Sequence, residues 1–227
     1  MFYFEEFREK QVLKSSLLEG LNHFFTTREC PVRGAEVDFR LAMNVNRLIS
    51  PIQTHSDNVR IVDSRNVYEN TDGLIFNMES TGVFLCFADC TPIIFYDSVN
   101  KVAAVTHAGW KGTAAKIAVR TVEKMNQTFG SKPFDISVAI GPTISRCCYE
   151  VGEDVLSRLL STVLDKSGLY AGNNVDLKQI NARQLQEIGV KNIDVCPYCT
   201  SCNNDLFFSY RKENGTSLRH NAVVWFD

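Results

Sequence analysis

Basic tracts, long apolar runs and internal repeats are all missing from this 227-residue chain, and each absence removes a class of function. The 24 lysines and arginines stand against 26 aspartates and glutamates, giving a formal net charge of −2, and they gather into no block or basic helical face. The electrostatic footprint of a nucleic-acid binder is therefore lacking. No apolar run approaches the ~20 residues needed to cross a bilayer, which argues against a membrane protein. The opening Met-Phe-Tyr-Phe-Glu-Glu-Phe-Arg has acidic residues where a signal peptide is basic, and it lacks an apolar stretch and a cleavage site, so the expectation is a cytoplasmic protein. Histidine is scarce: His23, His55, His107 and His220 are all there are.

What is present fits an ordinary globular protein, with 44% hydrophobic and 22% charged residues and enough length for one large α/β domain or two small ones; a single domain over 1–227 is the expectation. The eight cysteines could form bridges in a secreted chain, but without an export signal they are expected as reduced thiols, buried, metal-bound or catalytic. Cys86 lies in an apolar run and reads as core, and Cys30 has no ligand spacing.

The pattern centres on residues 86–113. Apolar runs Val83 to Phe87, Pro92 to Tyr96 and Val102 to Thr106 predict three strands in a central hairpin arrangement, with a turn at Asp97-Ser98-Val99-Asn100. Cys90 and His107 fall at strand ends, where buried sheet gives way to loop. A glycine-containing turn then leads into a helix over Ala114 to Phe129, closed by Gly130. That junction, with Lys111 beside it, has the character of an anion site suited to phosphate.

Residues 1–20 read as mixed, with a short amphipathic segment. Further strands are predicted at Leu21 to Arg28, Val59 to Asp63, Leu74 to Phe76, Phe134 to Ile140, Ile193 to Cys196, Leu206 to Arg211 and Ala222 to Phe226. Helices are predicted from Glu153 to Leu164 and Leu177 to Ile188. Strands interleaved with helices, with hairpins in the middle, imply a mixed sheet rather than a purely parallel one. His23, alternating with apolar neighbours, reads as a satisfied strand histidine.

Two ligand sets compete. His55, Cys90 and His107 offer two imidazoles and a thiolate, a donor set suited to zinc with a position left open for catalysis, but only a fold that unites distant segments can assemble them. Cys196-Pro197-Tyr198-Cys199-Thr200-Ser201-Cys202 is by pattern the stronger ligand signal. Closing a site there requires a fourth ligand from Cys147, Cys148 or His220, and structural or redox cysteines are the competing reading.

The motifs T-H-S-D, A-D-C-T-P, T-H-A-G-W-K-G, A-I-G-P, C-C-Y-E-V and F-F-S-Y-R occur in this order over most of the chain. Together they closely resemble the YfiH-like family, also labelled multicopper polyphenol oxidase or laccase domain proteins. The resemblance implies a single α/β (mixed α+β) unit whose mixed sheets are flanked by helices, and a catalytic zinc on His55, Cys90 and His107. It further implies phosphorolysis of adenosine, inosine and methylthioadenosine, with inorganic phosphate as co-substrate and adenosine deamination in addition. Candidate catalytic residues are Asp89, Cys90 and His107, with Asp57 a second candidate proton carrier. Candidate substrate contacts are Asn44, Lys111, Tyr210 and Arg211; the segment joining Asn44 to His55, which contains Arg47, is shorter than the family's usual one. Phe207, Phe208 and Tyr210 alternate along the expected strand, so one face could stack a base. Lys111 stands where arginine is common, which keeps the charge and loses the bidentate fork. Copper is the alternative metal, as the older label implies, although laccase chemistry needs many more histidines than four. A metal-free cysteine hydrolase or amidase using Cys90 and His107 is the other alternative. The expected partners are small molecules, in a monomer or small homo-oligomer.

Overall fold

Residues 1–20, for all their mixed character, fold as a hairpin in the computed structural model, which describes residues 1–30, 43 and 45–227. Strand β1 (Phe2–Phe7) pairs antiparallel with β2 (Lys10–Ser15). The turn residues Arg8 and Glu9 both have positive φ, 48° and 62°. Such turns normally announce themselves by Asn or Gly, and neither is present here.

Among the described residues the strands form two six-stranded sheets and one small hairpin. The first sheet continues from β2 through β3 (Asn22–Thr26), β14 (His220–Phe226), β7 (Thr81–Phe87) and β4 (Arg47–Ile49). The second runs β13 (Asn192–Val195), β10 (Ile136–Ile140), β8 (Thr91–Asp97), β9 (Val102–Ala108), β6 (Gly73–Phe76) and β5 (Val59–Ile61). Both are mixed: β4 is parallel to β7, β10 to β13 and β5 to β6, and the other neighbours are antiparallel. Small strands β11 (Tyr170–Ala171) and β12 (Asn174–Val175) make the hairpin.

Sheet packs on sheet. Phe25, Leu85 and Val224 of the first meet Leu74, Ile94 and Val105 of the second in one core cluster, all six fully buried. Strands β8 and β9, in the middle of the second sheet, are buried on both faces, which is why they read as near-continuous apolar runs. Their outer face is covered by α2 (Ile117–Phe129) and α4 (Leu177–Glu187), which place Ile117, Val122, Met125 and Leu185 against Ile93 and Phe95. Burying each such side chain contributes ~1.5–3 kcal/mol. The single helix expected over 114–129 is split: α1 (Trp110–Ala114) precedes α2, and left-handed Lys116 (φ 58°) breaks the run. Helix α3 (Glu153–Leu160) ends a turn earlier than its apolar pattern.

Two further expectations need correction. The run at 83–87 belongs to the first sheet, so only β8 and β9 form the central hairpin, and Ala88-Asp89-Cys90 is a crossing between sheets. Residues 206–211 form turns rather than a strand, so Phe207 and Phe208 do not alternate and both are buried, at 0% and 2% exposure.

Candidate metal centre and active site

Strand register gathers the site. In the β8–β9 hairpin Pro92 lies opposite His107 and Thr91 opposite Ala108, which brings Cys90, one residue before β8, beside the end of β9. Gly73 pairs with Thr106 across β6–β9, and with Val59 across β5–β6. Asp72 and the 54–58 loop are thereby delivered to the same corner. The ligand atoms of His55, Cys90 and His107 all lie within 4.8 Å of one another. His55 is exposed, Cys90 half-buried and His107 buried, so the cluster opens to solvent on the His55 side. The two imidazoles meet edge to face, with centroids 4.7 Å apart.

Asp72 organises the cluster, although its sequence signal is that of a turn residue ahead of Gly73. Fully buried, it faces His107 Nδ1 from Oδ1 at 2.8 Å and accepts the His55 N–H at 3.1 Å. Its Oδ2 accepts from Thr54 N–H (3.1 Å), Ser56 N–H (2.7 Å) and the Ser56 hydroxyl (2.7 Å). A carboxylate on Nδ1 leaves His107 Nε2 to act as a ligand, and the same group pins the loop that carries His55. His55 itself sits in the left-handed region at φ 60°.

The charges reinforce one another. Burial opposes ionisation of Asp72, but donors from His107 and Ser56 outweigh it and hold the carboxyl well below the usual range. Burial likewise opposes the Cys90 thiolate, yet the His107 and His55 imidazoles bring its pKa down to about 6. Burial would lower His107, but the Cys90 thiolate and Asp72 raise it to about 9. Both shifts favour a thiolate facing an imidazolium in the metal-free cluster. Two nitrogens and one sulfur form a borderline-soft donor set that fits zinc. The backbone leaves room for it: a Cβ on Gly109 would stand 2.9 Å from Cys90 Sγ and 3.1 Å from His55 Cδ2.

Asp89, at φ 81° and 8% exposed, has both carboxylate oxygens engaged, accepting from Thr200 Oγ1 and from Arg211 N–H, each at 2.7 Å. Arg211 is exposed; its guanidinium lies 5.4 Å from the Tyr149 ring centroid and donates to Glu150 O. Tyr149 is a site neighbour that its motif alone does not reveal. Burial, with Cys90 and Asp89 adding to it and Arg211 opposing, pushes its pKa up to about 12. Tyr210 is 56% exposed, and Lys111 is exposed with Nζ 5.8 Å from the Trp110 ring. Asp57 is paired with Arg120 at 3.1 Å. Arg47 is committed to the carbonyls of Asp63 and Arg65. Asn44 lies outside the described residues.

The remaining histidines are elsewhere. His23 is buried, with Nδ1 2.9 Å from Leu21 O and Nε2 accepting the Ser15 N–H at 3.1 Å, as a satisfied strand histidine should be. His220 is buried beside the rings of Phe87 and Phe207. No helix among the described residues is long and apolar enough to cross a membrane.

Several known proteins resemble this chain over most of its length. A Clostridium acetobutylicum protein named a purine nucleoside phosphorylase is 38% identical over 169 residues, covering 74% of this chain and 72% of its own. A protein named adenosine deaminase RL5, from an unknown prokaryotic organism, is 31% identical over 191 residues, covering 76% of this chain and 72% of its own. The crystal structure of the Bacillus licheniformis hypothetical protein YfiH superposes with a TM-score of 0.86 at 27% identity, covering 99% of each chain. The family model described as multi-copper polyphenol oxidoreductase laccase matches residues 19–227, and with the cluster at 55, 90 and 107 on one corner of this fold, the chain belongs to that laccase-like YfiH family.

Proposed function

We propose that this chain is a zinc-dependent purine nucleoside phosphorylase acting on adenosine, inosine and methylthioadenosine, with adenosine deamination at the same centre. One observation carries the reading: a single buried carboxylate, Asp72, fixes both His107 and the His55 loop around Cys90, and the second imidazole so held at the thiolate serves a metal, whereas a nucleophile with its base and orienting acid has no use for it. The names of relatives, a phosphorylase and a deaminase, support the purine substrate class. A zinc ion on His55, Cys90 and His107 supplies Lewis acidity toward a polar group of the substrate. The chain does the rest. Exposed Lys111 and Arg211 meet the phosphate dianion, and Tyr210 offers an exposed ring to the base. Tyr149 stays protonated and donates toward the departing purine, which must gain a proton as its bond to the sugar breaks and phosphate takes its place. Asp89 acts by position, since its oxygens hold Thr200 and the Arg211 backbone.

Copper fits poorly: with His23 and His220 packed in the core, two histidines remain for chemistry that needs many. The metal-free alternative has a specific observation in its favour, because Cys90, His107 and Asp72 also have the order of a thiolate, a base and its orienting acid. One experiment separates them. Metal-analysed protein is incubated with each nucleoside, with and without phosphate, and products are identified by mass. Phosphate-dependent sugar 1-phosphate that disappears in His107→Ala and after chelation is the expected result. Activity that survives thorough metal removal and falls only to a thiol alkylator would overturn the zinc reading.

A further inference from the structure

The C-x-x-C-x-x-C run divides in the folded chain. Cys196 turns into the core between the sheets at 1% exposure, and its loop is fastened by the Lys178 ammonium, which donates to Cys196 O and Tyr198 O. Cys199 and Cys202 instead meet Cys147 and Cys148, and the four sulfurs all lie within 4.8 Å of one another. Adjacent residues such as Cys147 and Cys148 tend to point apart. Here a turn in which Cys148 N–H and Tyr149 N–H both donate to Ser145 O brings both thiols toward Cys202, at 3.5 and 3.4 Å. Ser145 N–H donates to Cys199 Sγ at 3.3 Å, the kind of bond that steadies a thiolate ligand.

We infer that Cys147, Cys148, Cys199 and Cys202 form a tetrathiolate site for one structural zinc ion, separate from the centre at His55, Cys90 and His107. A tetrahedron of ~2.3 Å zinc–sulfur bonds has edges of ~3.8 Å, close to these separations, whereas a disulfide holds sulfurs at ~2.05 Å. A multi-iron cluster would interpose its own atoms and spread the thiolates further. All four protein ligands are supplied, which is the closed donor set of a structural site.

The location gives the ion a task. Cys199 bridges Thr143, Thr200 N–H donates to Thr143 O, and Ile144 N–H donates to Asp89 O at 3.1 Å. Thr200 also holds the Asp89 carboxylate. Two of the residues that fasten Asp89, Ile144 and Thr200, therefore lie within four positions of a ligand pair, and Asp89 immediately precedes Cys90. Clamping 147–148 to 199–202 braces the crossing that positions the active-site thiolate.

The test counts metal in the full chain after zinc loading and desalting. Wild type is expected to hold two zinc ions, Cys90→Ser one and Cys202→Ser one. After cobalt exchange, sulfur-to-cobalt charge-transfer absorption in Cys90→Ser should be about fourfold that in Cys202→Ser, reflecting four thiolates against one. Should Cys202→Ser fail to fold, wild type decides, because exposed Cys147 and Cys202 should resist iodoacetamide until a chelator is added. Metal-free Cys90→Ser, a single iron in place of zinc, a disulfide among the four, or alkylation without chelator would each overturn the inference. Loss of metal from the His55 centre alone would sink the proposed function and leave this site standing.

Discussion

Replacing Asp72 by Asn tests the central claim with almost no change of shape. The amide must place its NH2 where either Oδ1 or Oδ2 now stands. At the Oδ2 position it would confront two backbone donors, Thr54 N–H and Ser56 N–H. At the Oδ1 position it confronts one, His55 N–H, and can donate to His107 Nδ1. The second orientation is cheaper, since it strands one buried donor instead of two, a difference of ~1–3 kcal/mol. It also forces the His107 proton onto Nε2, the atom a metal needs. Binding zinc then requires the amide to flip, so the affinity should fall by ~10–100-fold, the range typical of outer-shell substitutions. The stranded N–H should cost ~1–3 kcal/mol of stability, which in a chain of this size lowers Tm by ~2–10 °C. Competition against a chromophoric chelator measures the first effect and calorimetry the second. The control is Asp97→Asn, a buried carboxylate in the β8–β9 turn that accepts from Val99 N–H and Asn100 N–H. It should lose comparable stability and keep its zinc affinity. Unchanged affinity in Asp72→Asn, or an equal loss in Asp97→Asn, would refute the reasoning.

Gly109→Ala should weaken zinc binding at least about tenfold while the fold persists, because the new methyl sits 2.9 Å from Cys90 Sγ; a variant that loads zinc normally would show that the centre is not where we place it. Zinc loading at pH 7.5 should release about one proton, from the His107 imidazolium, because its pKa is raised to about 9 while Cys90, lowered to about 6, is already ionised. Affinity should accordingly rise about tenfold per pH unit between 6 and 9, and calorimetry in two buffers of different ionisation enthalpy checks the count. His23 and His220 should remain neutral in the folded chain from pH 7 to 5, their pKa values being lowered to about 4 and about 3, largely by burial. The unfolded chain protonates both near 6.5, so stability contributed above that pH is lost as pH falls, by ~2 kcal/mol each at pH 5. Imidazole NMR resonances titrating near 6.5 in the folded state would contradict this.

How much of this was legible depended on whether local chemistry had one meaning. Strands β8 and β9 and the Asp97 turn announced themselves, because strands buried on both faces must be apolar throughout and the turn carries its own Asp and Asn. The hairpin at 1–20 did not, since Arg8 and Glu9 take positive φ without the usual residues. Nor did the placement of β7, because an apolar run does not say which sheet it joins. Residues 206–211 misled through aromatic composition: two adjacent phenylalanines can both be buried in a turn, which a strand with one open face forbids. At the site, His55, Cys90 and His107 stood out by ligand chemistry, yet Asp72 was hidden within an Asp-Gly turn signal. Its role lies in pairing between β5, β6 and β9, and no local pattern encodes that.

The same distinction explains why the corner can carry strain. His55 at φ 60° and Asp89 at φ 81° are non-glycine residues in the left-handed region, a cost on the order of 1–3 kcal/mol each that persists only where surroundings over-determine it. Around His55 the determinant is Asp72, whose accepted bonds fix residues 54, 55 and 56 together. Around Asp89 it is the grip of Ile144, Thr200 and Arg211 on backbone and carboxylate. Each strained residue is thus held by segments distant in sequence, and each sets the direction of one side chain of the candidate metal centre, its own in the first case and that of Cys90 in the second. Relaxing His55 to glycine would cost no buried apolar area, so stability alone gives no reason for a strained histidine there; the need to aim its ring nitrogen at a common point with the Cys90 sulfur does.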